Sequence, residues 1–134
     1  MPSDTIQSAR RVIAQHPAKR DDIGDLVTRR PLPGPQLEQL DPFLFLNHHG
    51  PQTYPANNRG LVTFILEGSL AHADSAKHQS VINAGGVQWM TAGSGIVHAE
   101  ISPEEFLRDG GPLEILQLWI NLPRAEKMKP ASYQ

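Results

Sequence analysis

Two short patterns of histidine and carboxylate in this sequence could hold a metal ion. His98 and Glu100 are two residues apart, and His72 and Asp74 have the same spacing. Residues at i and i+2 on a strand project to the same face. An imidazole beside a carboxylate offers two ligands for a first-row metal such as Fe(II). By spacing alone, an exposed pair at a strand end is the more common structure for His98 and Glu100. A hydrogen-bonded structural pair is the more common one for His72 and Asp74.

Other polar and aromatic residues carry weaker indications. His48 and His49 are adjacent and would face opposite sides of a strand. In a loop both could reach one metal, but solvent exposure is the favoured interpretation. Trp89 and Trp119 lie in apolar segments and are predicted to be core residues. Ser94 has no Gly-x-Ser-x-Gly elbow around it, so no nucleophilic triad is indicated.

The elements that must position these residues are short strands. Twelve prolines and eleven glycines punctuate the chain, which favours strands and turns over a helical bundle. A helix is predicted from Ser102, as its cap, to the break at Gly110, and residues 47–58 are predicted to form a loop. Strands are predicted over residues 24–30, 61–66, 69–74, 81–82, 87–91, 96–100 and 113–122. The expected fold is all-β, a single jelly-roll sandwich or barrel with one short helix.

Composition narrows the class of protein. The chain has 134 residues, 12 basic and 14 acidic residues, a net charge of -2 and no cysteine. That length suits one domain, and the charge balance gives no reason to expect a nucleic-acid partner. Without cysteine, disulfides, thiolate catalysis and cysteine-ligated metals are excluded. Neither a signal peptide nor a membrane span is visible, so a soluble cytoplasmic protein is expected.

Several segments together resemble the pirin family of the cupin superfamily. The most specific is Gly-Val-Gln-Trp-Met-Thr-Ala-Gly-Ser-Gly-Ile-Val-His-Ala-Glu at residues 86–100. Others are Leu-Asp-Pro-Phe-Leu at 40–44, Phe-Ile-Leu-Glu-Gly at 64–68, His-Ala-Asp-Ser at 72–75 and Leu-Gln-Leu-Trp-Ile-Asn-Leu-Pro at 116–123, with Met128 and Tyr133-Gln134 beyond the last. The resemblance implies a cupin fold and an N-terminal domain that holds one metal, typically iron, on three His and one Glu. It assigns the third and fourth ligands to His98 and Glu100. Quercetin 2,3-dioxygenase activity is associated with the family, and transcriptional co-regulation with its eukaryotic members.

The sequence departs from that family pattern at the other two ligands. The family's His-Pro-His-Arg-Gly stretch, expected just before the strand that ends in Leu-Glu-Gly, is missing. Residues 56–60, Ala-Asn-Asn-Arg-Gly, are either a substituted version of it or the loop before a deleted segment, and deletion is preferred. The metal site is therefore expected to be incomplete, with weak metal binding or none. Neither His72 nor the pair His48 and His49 matches a family ligand.

The predicted organisation is an N-terminal arm at 1–21, a pirin-like N-terminal cupin domain at 22–122 and a linker-like tail at 123–134. The family's second cupin domain is expected to be absent. The predicted function is a metal-binding cupin related to iron-dependent quercetin 2,3-dioxygenases. The alternatives are a non-catalytic regulatory or binding protein and a truncated, inactive remnant. Expected partners are a flavonol-like substrate and either a second copy or another chain in place of the lost domain, with no nucleic acid and no membrane.

Overall fold

The computed structural model describes residues 11–54 and 64–134. These residues form short antiparallel strands, one α-helix and one turn of 3-10 helix, which confirms the predicted all-β jelly roll. The helices are α1 (Glu104–Asp109) and the 3-10 turn Arg124–Glu126. The strands are β1 (Lys19–Arg20), β2 (Thr28–Leu32), β3 (Phe43–Tyr54), β4 (Phe64–Glu67), β5 (Ser69–Asp74), β6 (Gln79–Asn83), β7 (Met90–Thr91), β8 (His98–Ile101), β9 (Gly111–Ile120) and β10 (Ser132–Tyr133).

The strands form two main sheets and a small ribbon. One sheet has the order β1-β2-β3-β9-β4, the second has the order β6-β5-β8, and β10 pairs with β7. The long pairing of β3 with β9 runs from Phe43 opposite Ile120 to Tyr54 opposite Gly111 and forms the centre of the larger sheet. Both carriers of candidate metal ligands, β5 and β8, lie side by side in the smaller sheet.

The chain passes from one sheet to the other at Gly68, between β4 and β5. Gly68 has φ of +89°, and a Cβ at this position would lie 2.6 Å from the carbonyl oxygen of Pro112. Only glycine fits both the left-handed backbone and the close approach. The buried core contains residues of both sheets and of α1, namely Leu26, Ile65, Leu70, Phe106, Leu113 and Ile115. The core therefore lies between the sheets and fixes the inner face of β5, to which Leu70 belongs.

The prediction of a loop over residues 47–58 is wrong for residues 47–54, which continue strand β3. Residues 55–58 of that predicted loop lie outside the described residues. Asparagine, histidine, glycine and proline have weak strand propensity, but pairing with β9 on one side and β2 on the other outweighs it. As a consequence, Asn47 and His49 lie in the sheet with buried side chains.

The prediction that the two tryptophans are core residues is wrong. Trp89 is 51% exposed and Trp119 is 56% exposed. Trp89 comes just before the two-residue strand β7, and Trp119, in β9, packs against Phe45 with ring centroids 5.2 Å apart. Apolar sequence context therefore marked the strand of Trp119 correctly, but of the predicted strand 87–91 only Met90–Thr91 forms, and neither ring is buried.

The ends of the short helix and the C-terminal segment differ from the sequence expectation in detail. Pro103, not Ser102, occupies the N-cap position, because its ψ of 159° is extended rather than helical. Gly110 ends the helix as predicted. Residues 123–134, expected as a linker-like tail, contain the 3-10 turn and strand β10, and so fold back onto the domain.

No helix among the described residues has the length and apolar character needed to span a membrane.

Candidate metal centre

Pairing of β5 with β8 brings the two His-x-carboxylate patterns together. His72 lies opposite Glu100, and Asp74 lies opposite His98. One ligand atom from each of His72, His98 and Glu100 falls within 4.8 Å of the other two. Two imidazoles and one carboxylate at this spacing form the 2-His-1-carboxylate donor set used for non-haem iron.

His72 is fixed by a carboxylate on one side and left unpaired on the other. Its side chain is fully buried, and Nε2 donates a hydrogen bond to Oδ2 of Asp74 at 3.2 Å. With the proton on Nε2, Nδ1 carries a lone pair, and among the described residues this buried atom has no hydrogen-bond partner. Metal-ligating histidines commonly have one ring nitrogen held by a carboxylate while the other binds the ion. The environment of His72 fits that role.

Asp74 accepts several hydrogen bonds and thereby orients the ring of His72. Burial raises its pKa, but hydrogen bonds from His78, His72 and the backbone amides of His78 and Ala76 more than offset this and leave the pKa well below its usual value. Nδ1 of His78 lies 2.8 Å from Oδ2 of Asp74, and the amide of Ala76 lies 2.9 Å from Oδ1. An ionised Asp74 keeps the proton of His72 on Nε2 and so keeps Nδ1 available.

Glu100 is a buried carboxylate with little to neutralise it. It is 2% exposed, and burial raises its pKa to about 7, although a hydrogen bond from Nε2 of Gln88 to Oε1 acts in the opposite direction. Among the described residues its ion-pair partner is His98, whose Nδ1 lies 3.7 Å from Oε1. A divalent cation between these groups would supply the missing positive charge, so the donor set and its charge both fit a metal ion.

His98 closes the site on its solvent side. Its side chain is 36% exposed, whereas those of His72 and Glu100 are buried. Burial and then repulsion from His72 lower its pKa, and Asp74 partly offsets this. A lowered pKa favours the neutral imidazole, which is the form in which histidine binds a metal. The predicted geometry, with His98 and Glu100 on one strand and their side chains on one face, agrees with these distances.

The remaining sequence candidates lie elsewhere. Nε2 of His48 is 2.6 Å from Oε1 of Glu114. The expectation that the adjacent His49 is exposed is wrong: it is 3% exposed, and neither of its ring nitrogens has a partner among the described residues. His16, to which the sequence assigns no role, lies at the surface, with Nδ1 3.0 Å from Oε1 of Gln36. The segment 56–60, with its two alternative alignments, lies outside the described residues.

Sequence reasoning did not assign three residues of the centre. His72 was interpreted as half of a structural pair. Gln88 and Tyr133 lie in segments that resemble the family, but the sequence assigned neither of them a role in the site. The spacing of His72 and Asp74 was a usable signal, but only the register of β5 against β8 shows that His72 lies beside Glu100. Gln88 and Tyr133 reach the site from other segments of the chain, and their family-like sequence context does not show that they contact it.

A jelly roll with an inward cluster of two histidines and a glutamate defines a cupin-type domain. The chain belongs to the pirin family, whose sequence pattern it matches over residues 25–120. It is 43% identical over 143 residues to pirin-like protein 2 of Arabidopsis thaliana, an alignment that covers 100% of this chain and 43% of that protein.

Solved structures of other proteins share the fold of this chain. Quercetin 2,3-dioxygenase of Acinetobacter baumannii matches with a TM-score of 0.72 and 35% identity, over 81% of this chain and 42% of that one. A bacterial pirin of Escherichia coli, solved in complex with nickel(II), shares the fold at a TM-score of 0.64 and 23% identity. The chain thus spans less than half the length of the plant and Acinetobacter proteins that it matches.

Proposed function

We propose that this chain is a metal-binding cupin domain in which His72, His98 and Glu100 hold one divalent metal ion. The ion that we propose is Fe(II). The observation that carries the proposal has two parts. Ligand atoms of His72, His98 and Glu100 lie within 4.8 Å of one another, and Nδ1 of the buried His72 has no hydrogen-bond partner among the described residues. Such a donor set leaves coordination positions open for other ligands. His72 would supply one histidine ligand in place of the two family histidines that are missing, although it does not occupy either of their positions in the sequence.

The chain's own residues have distinct tasks in this proposal. Asp74 holds His72 in one tautomer, Gln88 holds one oxygen of Glu100, and His98 lies at the edge where a ligand enters. A bound iron ion would supply dioxygen activation and a positive charge for an ionised hydroxyl of the substrate. We include a flavonol-like substrate and a cytoplasmic location in the proposal. The first is supported by the named activity of the A. baumannii relative, the second by the absence of cysteine.

Metal titration tests the proposal directly. We expect purified, metal-stripped protein to bind one equivalent of Co(II) or anaerobic Fe(II). Replacing one donor, in His72→Ala, His98→Ala or Glu100→Gln, is expected to weaken binding by about 100-fold or more, since even outer-shell changes cost about 10–100-fold. His16→Ala is the matched control, because it removes a surface histidine outside the centre.

The outcome also separates enzyme from binding protein. Iron-loaded protein that consumes oxygen while quercetin absorbance falls would support the dioxygenase relation. Stoichiometric metal binding without flavonol loss would leave a metal-binding domain and remove the enzymatic part. Binding that His72→Ala leaves unchanged would refute the proposed donor set.

A further inference from the structure

We propose that Tyr133, on the C-terminal strand β10, is a positioning residue that holds His72 and Glu100 in their metal-binding geometry. Strand β10 would then act as a strap across the centre. The inference rests on the proposed metal site.

Backbone hydrogen bonds with the segment around β7 position strand β10. Ser132 lies opposite Thr91 and Tyr133 opposite Met90 in the antiparallel ribbon of β10 and β7. Gln134 and Trp89 extend it with two reciprocal backbone hydrogen bonds of 2.9 Å. Further back, the amide of Ser94 donates to the carbonyl of Lys129 at 2.9 Å. The C-terminal segment is therefore anchored at both ends of the turn that precedes β8, and Tyr133 is set at one position.

The aromatic ring of Tyr133 covers the face of His72. Their ring centroids are 4.3 Å apart and their planes differ by 12°, and the ring also stacks on His78 at 5.5 Å and 24°. His72 is thus held at its edge by Asp74 and on its face by Tyr133. Rotation of the imidazole out of this plane would lose both contacts, so the direction of its unpaired Nδ1 is fixed before a metal arrives.

The hydroxyl of Tyr133 reaches the third donor through Gln88. It donates to Oε1 of Gln88 at 3.2 Å, and Nε2 of Gln88 donates to Oε1 of Glu100. Because the phenol has one hydrogen and gives it to Gln88, the hydrogen bond between Tyr133 and Ser80 is donated by the serine. The chain Ser80, Tyr133, Gln88 then points every donor toward the carboxylate.

This order of donors determines how Gln88 is oriented. An amide can present either its oxygen or its nitrogen to Glu100, and only the nitrogen stabilises a carboxylate. By occupying the amide oxygen, Tyr133 selects the orientation that donates to Glu100. Hydrogen bonds in such a chain strengthen one another in a buried site. The ring and the hydroxyl of Tyr133 therefore support different metal donors and can be removed separately.

Two substitutions separate the two contributions. Tyr133→Phe keeps the stacking on His72 and loses the hydroxyl, and Tyr133→Leu loses both. We expect the first to weaken Co(II) binding by about 10-fold and the second by up to about 100-fold, the range for outer-shell partners of metal ligands. Ser132→Ala is the matched control, since this exposed neighbour lies on the same strand, and binding should stay within about twofold. Thermal melting of each metal-free variant shows that the fold is retained.

A second readout needs no metal. In the metal-free wild-type protein, ring protons of His72 should be shifted upfield by the face of Tyr133 in proton NMR spectra. The shift should persist in Tyr133→Phe and vanish in Tyr133→Leu. Failure of the wild-type chain to bind Co(II) would sink the proposed metal site, and the NMR result would still decide whether Tyr133 holds His72. Unchanged His72 signals in Tyr133→Leu, or Co(II) affinities in both variants equal to that of the wild type, would overturn the inference.

Discussion

Asn47 and His49 lie two residues apart on β3, and both bury polar atoms that have no hydrogen-bond partner among the described residues. Oδ1 of Asn47 and both ring nitrogens of His49 are affected. His49 lies opposite Ile115, one of the most deeply buried core residues. A buried polar group without a partner costs about 1–3 kcal/mol, so this part of the sheet is less stable than its packing allows.

Replacing His49 with an apolar residue of similar size should therefore stabilise the protein. We expect His49→Leu to raise the free energy of unfolding at pH 7 by about 1–2 kcal/mol, because the desolvation cost of the imidazole disappears. Urea denaturation followed by tryptophan fluorescence measures it. The neighbouring His48→Leu is the control: it breaks the contact with Glu114 and should give no gain. A destabilised His49→Leu would show that the imidazole has a partner in the folded protein.

The same histidine predicts a pH dependence. Burial, together with repulsion from His48, lowers the pKa of His49 from 6.5 to about 4. Between these values the unfolded chain binds a proton that the folded chain does not, so stability falls as the pH falls. The loss begins near pH 6.5, levels off below about pH 4 and amounts to about 3 kcal/mol.

His49→Leu removes this contribution and leaves the other titrating groups in place. The stability difference between the variant and the wild type should therefore widen as the pH is lowered from 7 to 4. Denaturation series at half-unit intervals measure it. A difference that stays constant over this range would contradict the lowered pKa.

Gly68 and Gly85 form a matched pair for the sheet crossing. Both have positive φ, +89° and +82°, but a Cβ on Gly68 would meet the oxygen of Pro112 at 2.6 Å, whereas one on Gly85 would meet nothing within 4 Å. We expect Gly85→Ala to cost about 1 kcal/mol of stability, from backbone strain alone. Gly68→Ala should cost roughly 3 kcal/mol or more, since backbone must also move. Equal costs in thermal and urea denaturation would show that the crossing has room to adjust.

Association with a second copy, expected from the sequence, stays a prediction, and the exposed end of β9 is its candidate surface. The inner residues Leu113 and Ile115 are buried, but Trp119 and Ile120 are exposed, and Leu44 beside them is 52% exposed. The pairing of Phe45 with Trp119 places Leu44 at the same end of the sheet, and exposed apolar side chains that form one patch commonly mark an interface. We expect a dimer in sedimentation equilibrium at micromolar concentration, and Trp119→Arg should shift it to monomer. Met128→Arg, at another exposed apolar position, is the control; a wild-type monomer would end the idea.

The sequence was informative wherever a short segment carried its own period. Strand β5 was predicted with its bounds, and His98 and Glu100 were placed on one face of one strand. The family resemblance supplied the topology that alternation alone could not. Where a residue's role depends on pairing between distant segments, prediction failed: the strand character of residues 47–54 comes from β9 and β2, and the exposure of Trp119 from the lack of a covering layer.

The register between β5 and β8 has a consequence for how the domain assembles. His72 faces Glu100 and Asp74 faces His98, while Ala73 faces Ala99 between them. A slip of one residue would turn alanines toward the donors, since alternate side chains point to opposite faces of a sheet. The correct pairing thus brings the proposed metal ligands together, and the slipped pairing separates them. A metal ion bound at the proposed site during folding would therefore stabilise the native register of these two strands over the slipped one. This effect is separate from any reaction that the ion later supports.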